Sequence, residues 1–171
     1  DFGAAPILAD NGNALIAGDK GGNVYSLDPD NGGVNWNRKI SSGGNLGGIH
    51  WGMAVDVDTI YVAATDLSVN KASSINDSVT DRLSLVDNAR PGIYALDLNS
   101  GGLVWETHPT HNYQGAQTPS LYSAALSVTN DVLFAASLDG VVKAFSILTG
   151  AELWSLDTAI PVTDINGVSG N

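Results

Sequence analysis

Residues 93–105 read IYALDLNSGGLVW, and the same pattern occurs twice more in the chain, at residues 24–36 and 142–154. In each copy twelve positions separate a leading Val or Ile from a Trp, and a Gly stands four positions before that Trp. An alternating apolar strand, an Asp/Asn/Gly turn and a second short strand are typical of a β-hairpin. The glycine supplies the positive φ angle that such a turn requires. The pattern therefore predicts three hairpins, each ending in a Trp.

Two more strand-like runs precede each hairpin. They are residues 4–8 and 14–18, residues 49–57 and 59–64, and residues 122–128 and 132–137. Four short antiparallel strands in roughly 45 residues are the size of one β-propeller blade. The predicted fold is all-β, a propeller of four-stranded antiparallel blades. The predicted blades cover residues 1–40, 48–109 and 122–158, and a further blade begins within residues 159–171.

The middle unit is longer than the others because of an insertion at residues 67–90. Ile75, Val79, Leu83 and Val86 are spaced as on one face of a helix, so a short amphipathic helix is one interpretation. A surface loop is the other.

Three blades do not close a ring, since propellers have about four to eight. Either further chain lies on both sides of this sequence, or copies assemble to complete the ring. We favour further chain, and we expect the sequence to be a mature or excised product because it begins with Asp1.

Composition narrows the classes of function. The 171 residues carry 18 acidic and 7 basic side chains, a formal net charge of −11, which disfavours nucleic acid as a partner. Sixteen of the acidic residues are Asp, which favours turns over helix interiors. No apolar run is long enough to span a membrane. The absence of Cys excludes disulfides and thiolate metal sites within these residues.

The Tyr-Ala-Leu-Asp…Gly…Trp repeat resembles the tryptophan-docking repeat of the pyrroloquinoline quinone (PQQ) dehydrogenase family. The segments DFGAAP, GGIHWG and RPGIYA at residues 1–6, 47–52 and 90–95 are most similar to polyvinyl-alcohol-dehydrogenase-type members. The resemblance implies about three blades of an eight-bladed ring. It also implies a periplasmic or secreted, calcium-dependent enzyme that oxidises small or polymeric alcohols and passes electrons to a cytochrome.

The same resemblance assigns cofactor-binding residues. Lys20, in the turn Asp19-Lys20-Gly21-Gly22, occupies the position of a basic residue that reaches the quinone oxygens in the family. A cation there suits a cofactor whose oxygens gain negative charge on reduction. His50-Trp51 matches a polar residue and Trp at the start of an inner strand, with His where many members have Asn. Tyr122 stands where several relatives have Trp.

The catalytic base, the calcium ligands and the vicinal disulfide of the family are expected upstream of Asp1. None of the sixteen Asp residues matches the base by motif, so we assign no catalytic residue and no metal ligand to this chain. His108 and His111 have no third ligand nearby in sequence, which disfavours a metal site there.

A second class of function fits the same repeat. Bacterial outer-membrane assembly lipoproteins use it without a cofactor, as a scaffold for protein interactions. In that case the tryptophans keep their packing role, whereas Lys20 and His50 have none.

Overall fold

The computed structural model describes residues 1–70, 83–113, 115–160, 162–163, 165–167 and 169–170. Within them lie three four-stranded antiparallel sheets, here called the first, second and third blades. The first blade has strands β1 (Ile7–Ala9), β2 (Ala14–Gly18), β3 (Asn23–Leu27) and β4 (Val34–Lys39). The second has β5 (Ala54–Asp56), β6 (Thr59–Ala64), β9 (Gly92–Asp97) and β10 (Leu103–Thr107), and the third has β13 (Ser127–Thr129), β14 (Val132–Ala136), β15 (Val141–Ser146) and β16 (Glu152–Asp157). These sheets confirm the predicted fold class.

Three two-stranded ribbons complete the described strands; the sequence did not predict the first two, and the third lies within residues 159–171, where the sequence predicts the start of a further blade. They are β7 (Leu67–Val69) with β8 (Leu83–Leu85), β11 (Thr110–Tyr113) with β12 (Ala116–Pro119), and β17 (Val162–Thr163) with β18 (Ser169–Gly170). The β7–β8 pair closes the base of the insertion, where Leu83 lies in a strand. Because Leu83 lies in a strand, a single helix does not contain all four of the apolar residues whose spacing suggested one. Ile75 and Val79 lie outside the described residues.

The innermost strands are shorter than the apolar runs predicted. In the first blade β1 begins at Ile7 and not at Ala4, because Pro6 has no N–H to donate to a sheet.

In each blade, a backbone carbonyl of the segment before the inner strand accepts a hydrogen bond from a neighbouring turn. The backbone N–H groups of Lys20, Thr65 and Leu138 donate to the carbonyls of Asp1, Gly48 and Leu121, at 2.9, 3.2 and 2.8 Å. This hydrogen bond recurs in all three blades, and it identifies the three turn positions as equivalent.

Each of the first two blades docks on the next one through its Trp. The indole N–H of Trp36 donates to the carbonyl of Leu98 at 3.0 Å, and that of Trp105 donates to Ile147 at 2.7 Å. The Trp105 ring covers Gly150, where an added Cβ would lie 2.5 Å from Cε3 of the indole. Gly150 has φ +70°, so glycine satisfies both the left-handed backbone and the close approach.

Two apolar clusters fill the spaces between the blades. One joins the first and second blades, and the other joins the second and third. Their largest fully buried members include Ile16, Val24, Ile60 and Leu96 in the first cluster, and Ile93, Tyr122, Leu133 and Phe145 in the second. Alternation along the strands produces this burial; in β2, Ala14, Ile16 and Gly18 are buried and the residues between them are partly exposed. No helix in the described part of the chain is long and apolar enough to cross a membrane.

Candidate functional site

Lys20 lies in the β2–β3 turn. This turn is on the face of the blades where the chain enters each inner strand, and we call it the site face. The backbone of Lys20 bonds Asp1, and its ammonium group lies 3.4 Å from a carboxylate oxygen of Asp1. The Lys20 side chain retains 21% of its exposure, so the charge reaches solvent at this face.

The preceding residue, Asp19, shapes this turn. Its carboxylate accepts hydrogen bonds from the backbone N–H of Asn23 and from the hydroxyl of Tyr25, each at 3.0 Å. Partial burial works to raise the pKa of Asp19, but these hydrogen bonds outweigh it and hold the pKa below its usual value. The turn therefore presents a fixed carboxylate and, beside it, a lysine directed to the face.

His50 and Trp51 precede β5 on the same face. Their rings stack at 4.4 Å between centroids with an interplanar angle of 15°. The Nδ1 atom of His50 lies 3.3 Å from the carbonyl oxygen of Leu46, and the imidazole packs against Gly3, where a Cβ would collide with it. Trp51 is 50% exposed. The pair forms a flat aromatic surface with one side open to solvent.

The segment 43–48 joins the Lys20 turn to this aromatic pair. Gly44 N–H donates to the Lys20 carbonyl at 3.1 Å, and a Cβ at Gly48 would collide with the same carbonyl. Gly48 has φ +64°, so both its conformation and its surroundings require glycine. This glycine-rich segment is therefore a tight connection between the first and second blades, and it brings Lys20 near His50 and Trp51 in the fold.

Asp66 is a buried residue that the sequence did not single out. Its carboxylate accepts backbone hydrogen bonds from Ser42 at 3.2 Å, Gly43 at 2.8 Å and Arg90 at 2.8 Å. It therefore fastens the 43–48 segment to both ends of the insertion. In the sequence Asp66 does not differ from other Asp residues that follow a strand. Its position directly before the insertion is the one feature that could have indicated its role.

Tyr122 occupies a different environment from the other predicted cofactor residues. Its side chain is 1% exposed and meets the Phe145 ring edge-on in the core, and burial raises the pKa of its hydroxyl. Its carbonyl accepts a hydrogen bond from the Thr65 hydroxyl at 2.8 Å. The backbone of Tyr122 therefore lies at the site face, while its side chain packs between the second and third blades.

His108 and His111 have separate contacts. Nδ1 of His108 lies 2.9 Å from the Pro91 carbonyl, and Nδ1 of His111 lies 2.6 Å from the Asp139 carboxylate. Among the described residues no group of three or more His, Cys, Asp or Glu side chains is arranged to hold a metal ion.

A family comparison covers most of the chain. The family model PQQ_2, whose description is outer membrane protein assembly factor BamB, matches residues 44–170. Two polyvinylalcohol dehydrogenases, from a Pseudomonas species and from Sphingopyxis strain 113P3, are each 33% identical to the chain. The alignments cover 92% and 97% of this chain but 23% and 25% of those proteins. The chain thus spans about a quarter of the length of these relatives.

Solved structures show the same fold. The quinohemoprotein alcohol dehydrogenase of Comamonas testosteroni aligns with a TM-score of 0.60 and 15% identity, over 100% of this chain and 23% of that one. BamB from Moraxella catarrhalis aligns with a TM-score of 0.58 and 17% identity, over 95% of this chain and 39% of that one. At these identities the likeness concerns the fold alone.

Proposed function

Because this chain belongs to the PQQ-repeat family of β-propeller proteins, we propose that it forms part of a PQQ-dependent dehydrogenase that oxidises alcohols. The observation that carries this proposal is the 33% identity to polyvinylalcohol dehydrogenases over more than nine-tenths of the chain. The site face agrees with it, since it holds a cation and an open aromatic surface. Fold alone would not distinguish an enzyme from a scaffold.

The residues at the site face fit the chemistry of the cofactor. PQQ is a planar, anionic ortho-quinone, and when bound it supplies a two-electron acceptor for the alcohol. The stacked pair of His50 and Trp51 offers a flat surface for a planar ring. The Lys20 ammonium offers a positive charge for oxygens that gain electron density on reduction. The Tyr122 side chain is buried, so it offers no stacking surface to the cofactor, and only its backbone, bonded to the Thr65 hydroxyl, lies at this face.

The proposal also covers the catalytic base, the calcium ligands, the electron acceptor, the location of the protein and the substrate. The catalytic base and the calcium ligands lie outside residues 1–171, because no Asp in the chain matches the family's base by motif. A cytochrome accepts the electrons, and the protein is periplasmic or secreted. The substrate is a small or polymeric alcohol.

A protein-interaction scaffold is the second candidate function. It is favoured by the BamB description of the matching family. The dehydrogenase proposal has the stronger support, because 33% identity to the dehydrogenases exceeds the 17% identity to BamB from Moraxella catarrhalis.

Replacing Lys20 by Ala is expected to weaken PQQ binding about tenfold or more, because a charged hydrogen-bond donor to the cofactor is lost. The free energy of unfolding should change by less than about 1 kcal/mol, since Lys20 makes a partly exposed ion pair with Asp1. Calorimetric titration of the whole protein with PQQ measures the first effect, and urea unfolding measures the second.

Two variants make this test specific. Lys20→Arg should recover most of the affinity, while Lys39→Ala, at an exposed lysine of β4, should leave PQQ binding unchanged. Equal PQQ affinity of Lys20→Ala and the unaltered protein would remove Lys20 from the site. A large loss of stability would show that its role is structural.

A further inference from the structure

A small, positively charged cavity lies between the outermost strand of the first blade and the second blade. Its volume is about 90 Å³. Its charged lining residues are Arg38 and Lys39 at the end of β4, Arg90 before β9, and Glu106 in β10. Ile40, Tyr94 and Leu103 complete the lining. We call this cavity the basic notch, because three cations and a single carboxylate line it.

Contacts within the protein hold the arginines of the basic notch in place. The backbone N–H of Arg90 donates to the Asp66 carboxylate at 2.8 Å, and the Arg90 carbonyl accepts a hydrogen bond from the Tyr94 hydroxyl at 2.6 Å. Nη1 of Arg38 donates to the Gly101 carbonyl at 3.2 Å. A ligand therefore meets charges that are already positioned, which lowers the entropic cost of binding.

Two of the three cations have no partner of opposite charge. Among the described residues, Lys20, Arg90 and Lys143 each form an ion pair with an Asp or Glu side chain. Arg38 and Lys39 form none there, although the chain has 18 acidic residues for 7 basic ones. Adjacent cations with unused N–H donors suit a carboxylate, which accepts two hydrogen bonds from one arginine.

The acidic residues of the chain direct an acidic ligand towards the basic notch. The hairpin turns at the strand ends opposite the Lys20 turn carry acidic residues such as Asp10, Asp28, Asp58 and Asp131, and the sequence has no Lys or Arg in these turns. An acidic partner is repelled from those turns and attracted to the notch, so the charge distribution orients its approach.

A second cavity adjoins the basic notch and favours a protein as the source of the carboxylate. Its volume is about 280 Å³, and Arg90 lines it together with Ala89, Pro91 and Pro119. Because Arg90 lines both cavities, a peptide with a carboxylate in the notch reaches these three apolar residues with a neighbouring side chain. A small free carboxylate fills only the notch, where partly exposed ion pairs contribute little binding free energy. A peptide adds apolar contact to them.

We propose that the basic notch is a docking site for an acidic partner protein. The partner places an Asp or Glu carboxylate between Arg38, Lys39 and Arg90, and an adjacent apolar side chain in the second cavity. The inference goes beyond the proposed function and does not depend on it, because none of these three cations is assigned to PQQ.

Peptide binding to the whole protein without PQQ tests the docking site. The probe is an octapeptide of alternating Glu and Pro that carries a neutral fluorescent dye, and the reference peptide has Gln in place of each Glu. In fluorescence anisotropy titrations we expect the Glu peptide to bind, and the Gln peptide to bind at least about tenfold more weakly. Added NaCl should weaken binding of the Glu peptide, because salt screens exposed charges.

Charge variants locate the bound peptide. Lys39→Glu should weaken binding of the Glu peptide about tenfold, and Arg90→Ala about threefold. Glu106→Gln should strengthen binding, since it removes the carboxylate of the lining, and loss of structure would not produce this change. Lys20→Ala is the charge-matched control, because it removes one positive charge outside the notch and should change peptide binding by less than about twofold. PQQ binding should be unchanged in Lys39→Glu.

The outcomes separate the docking site from the proposed function. Equal binding of the two peptides, or normal binding of the Glu peptide by Lys39→Glu, would overturn the docking site. Displacement of the peptide by acetate at an equal concentration of carboxylate would also overturn it, and would assign the notch to small carboxylates. If the peptide binds as expected and PQQ does not, the docking site stands and the dehydrogenase proposal is overturned. If only PQQ binds, the dehydrogenase proposal alone remains.

Discussion

Replacing Trp105 by Ala is expected to lower the free energy of unfolding by about 3 kcal/mol, the low end of the range for large aromatic side chains, because the indole is partly buried. The indole packs over Gly150, lies 5.9 Å from the Tyr61 ring and donates to the Ile147 carbonyl at 2.7 Å. Truncation leaves a cavity between the second and third blades and an unsatisfied carbonyl. Urea unfolding followed by circular dichroism measures the change.

Two further substitutions at this junction separate packing from hydrogen bonding. Trp105→Phe keeps an aromatic ring and loses the indole N–H, so we expect a loss of only about 1–2 kcal/mol. Val104→Ala, next in sequence and 56% exposed, should stay within about 0.5 kcal/mol of the unaltered protein. A loss below 1 kcal/mol for Trp105→Ala would contradict the docking of the two blades through this residue.

Replacing Asp66 by Ala is expected to cost about 2–4 kcal/mol of stability. Three backbone N–H groups, of Ser42, Gly43 and Arg90, lose their acceptor, and that of Gly43 is buried. The 43–48 segment that links Lys20 to Trp51 is then released, so PQQ affinity should fall as well. Urea unfolding and PQQ titration of the same variant measure both effects.

Asp66→Asn and Asp87→Ala control this prediction. Asparagine tolerates the φ of +54° at this position and keeps one oxygen acceptor, so its effect should be smaller. Asp87 is exposed in the same region, and its replacement should be nearly neutral. If Asp66→Ala lost stability but bound PQQ normally, the 43–48 segment would not position the site.

The hairpins could be predicted because each one is determined by residues that lie close together in the sequence. A strand period, an Asp/Asn/Gly turn and a Trp at fixed spacing lie within thirteen residues, as in residues 93–105. The bounds of the inner strands were harder to predict, because an apolar run such as residues 122–128 has the sequence pattern of a strand along its whole length. In the structure Tyr122 makes only an isolated bridge to Ser137, and the N–H groups of Ser123 and Ala124 share the carbonyl of Ala136 at the end of β14, so the regular strand β13 begins only at Ser127.

The candidate site was predicted in part. Lys20 and the His50–Trp51 pair were selected through a family resemblance, and the structure places them on one face; their binding of PQQ stays a prediction. Asp66 was not found, because its contacts join residues far apart in sequence, such as Ser42 and Arg90. His111 and Asp139, for example, meet only because the β11–β12 ribbon lies against the β14–β15 turn.

The most direct test of the central claim is oxidation of an alcohol by the whole protein supplied with PQQ and Ca²⁺. The dehydrogenase proposal predicts an absorption band of bound quinone and alcohol-dependent reduction of an artificial electron-acceptor dye, with both signals absent when PQQ is withheld. A protein with a normal unfolding transition that neither binds PQQ nor reduces the dye would contradict the proposal and favour the scaffold.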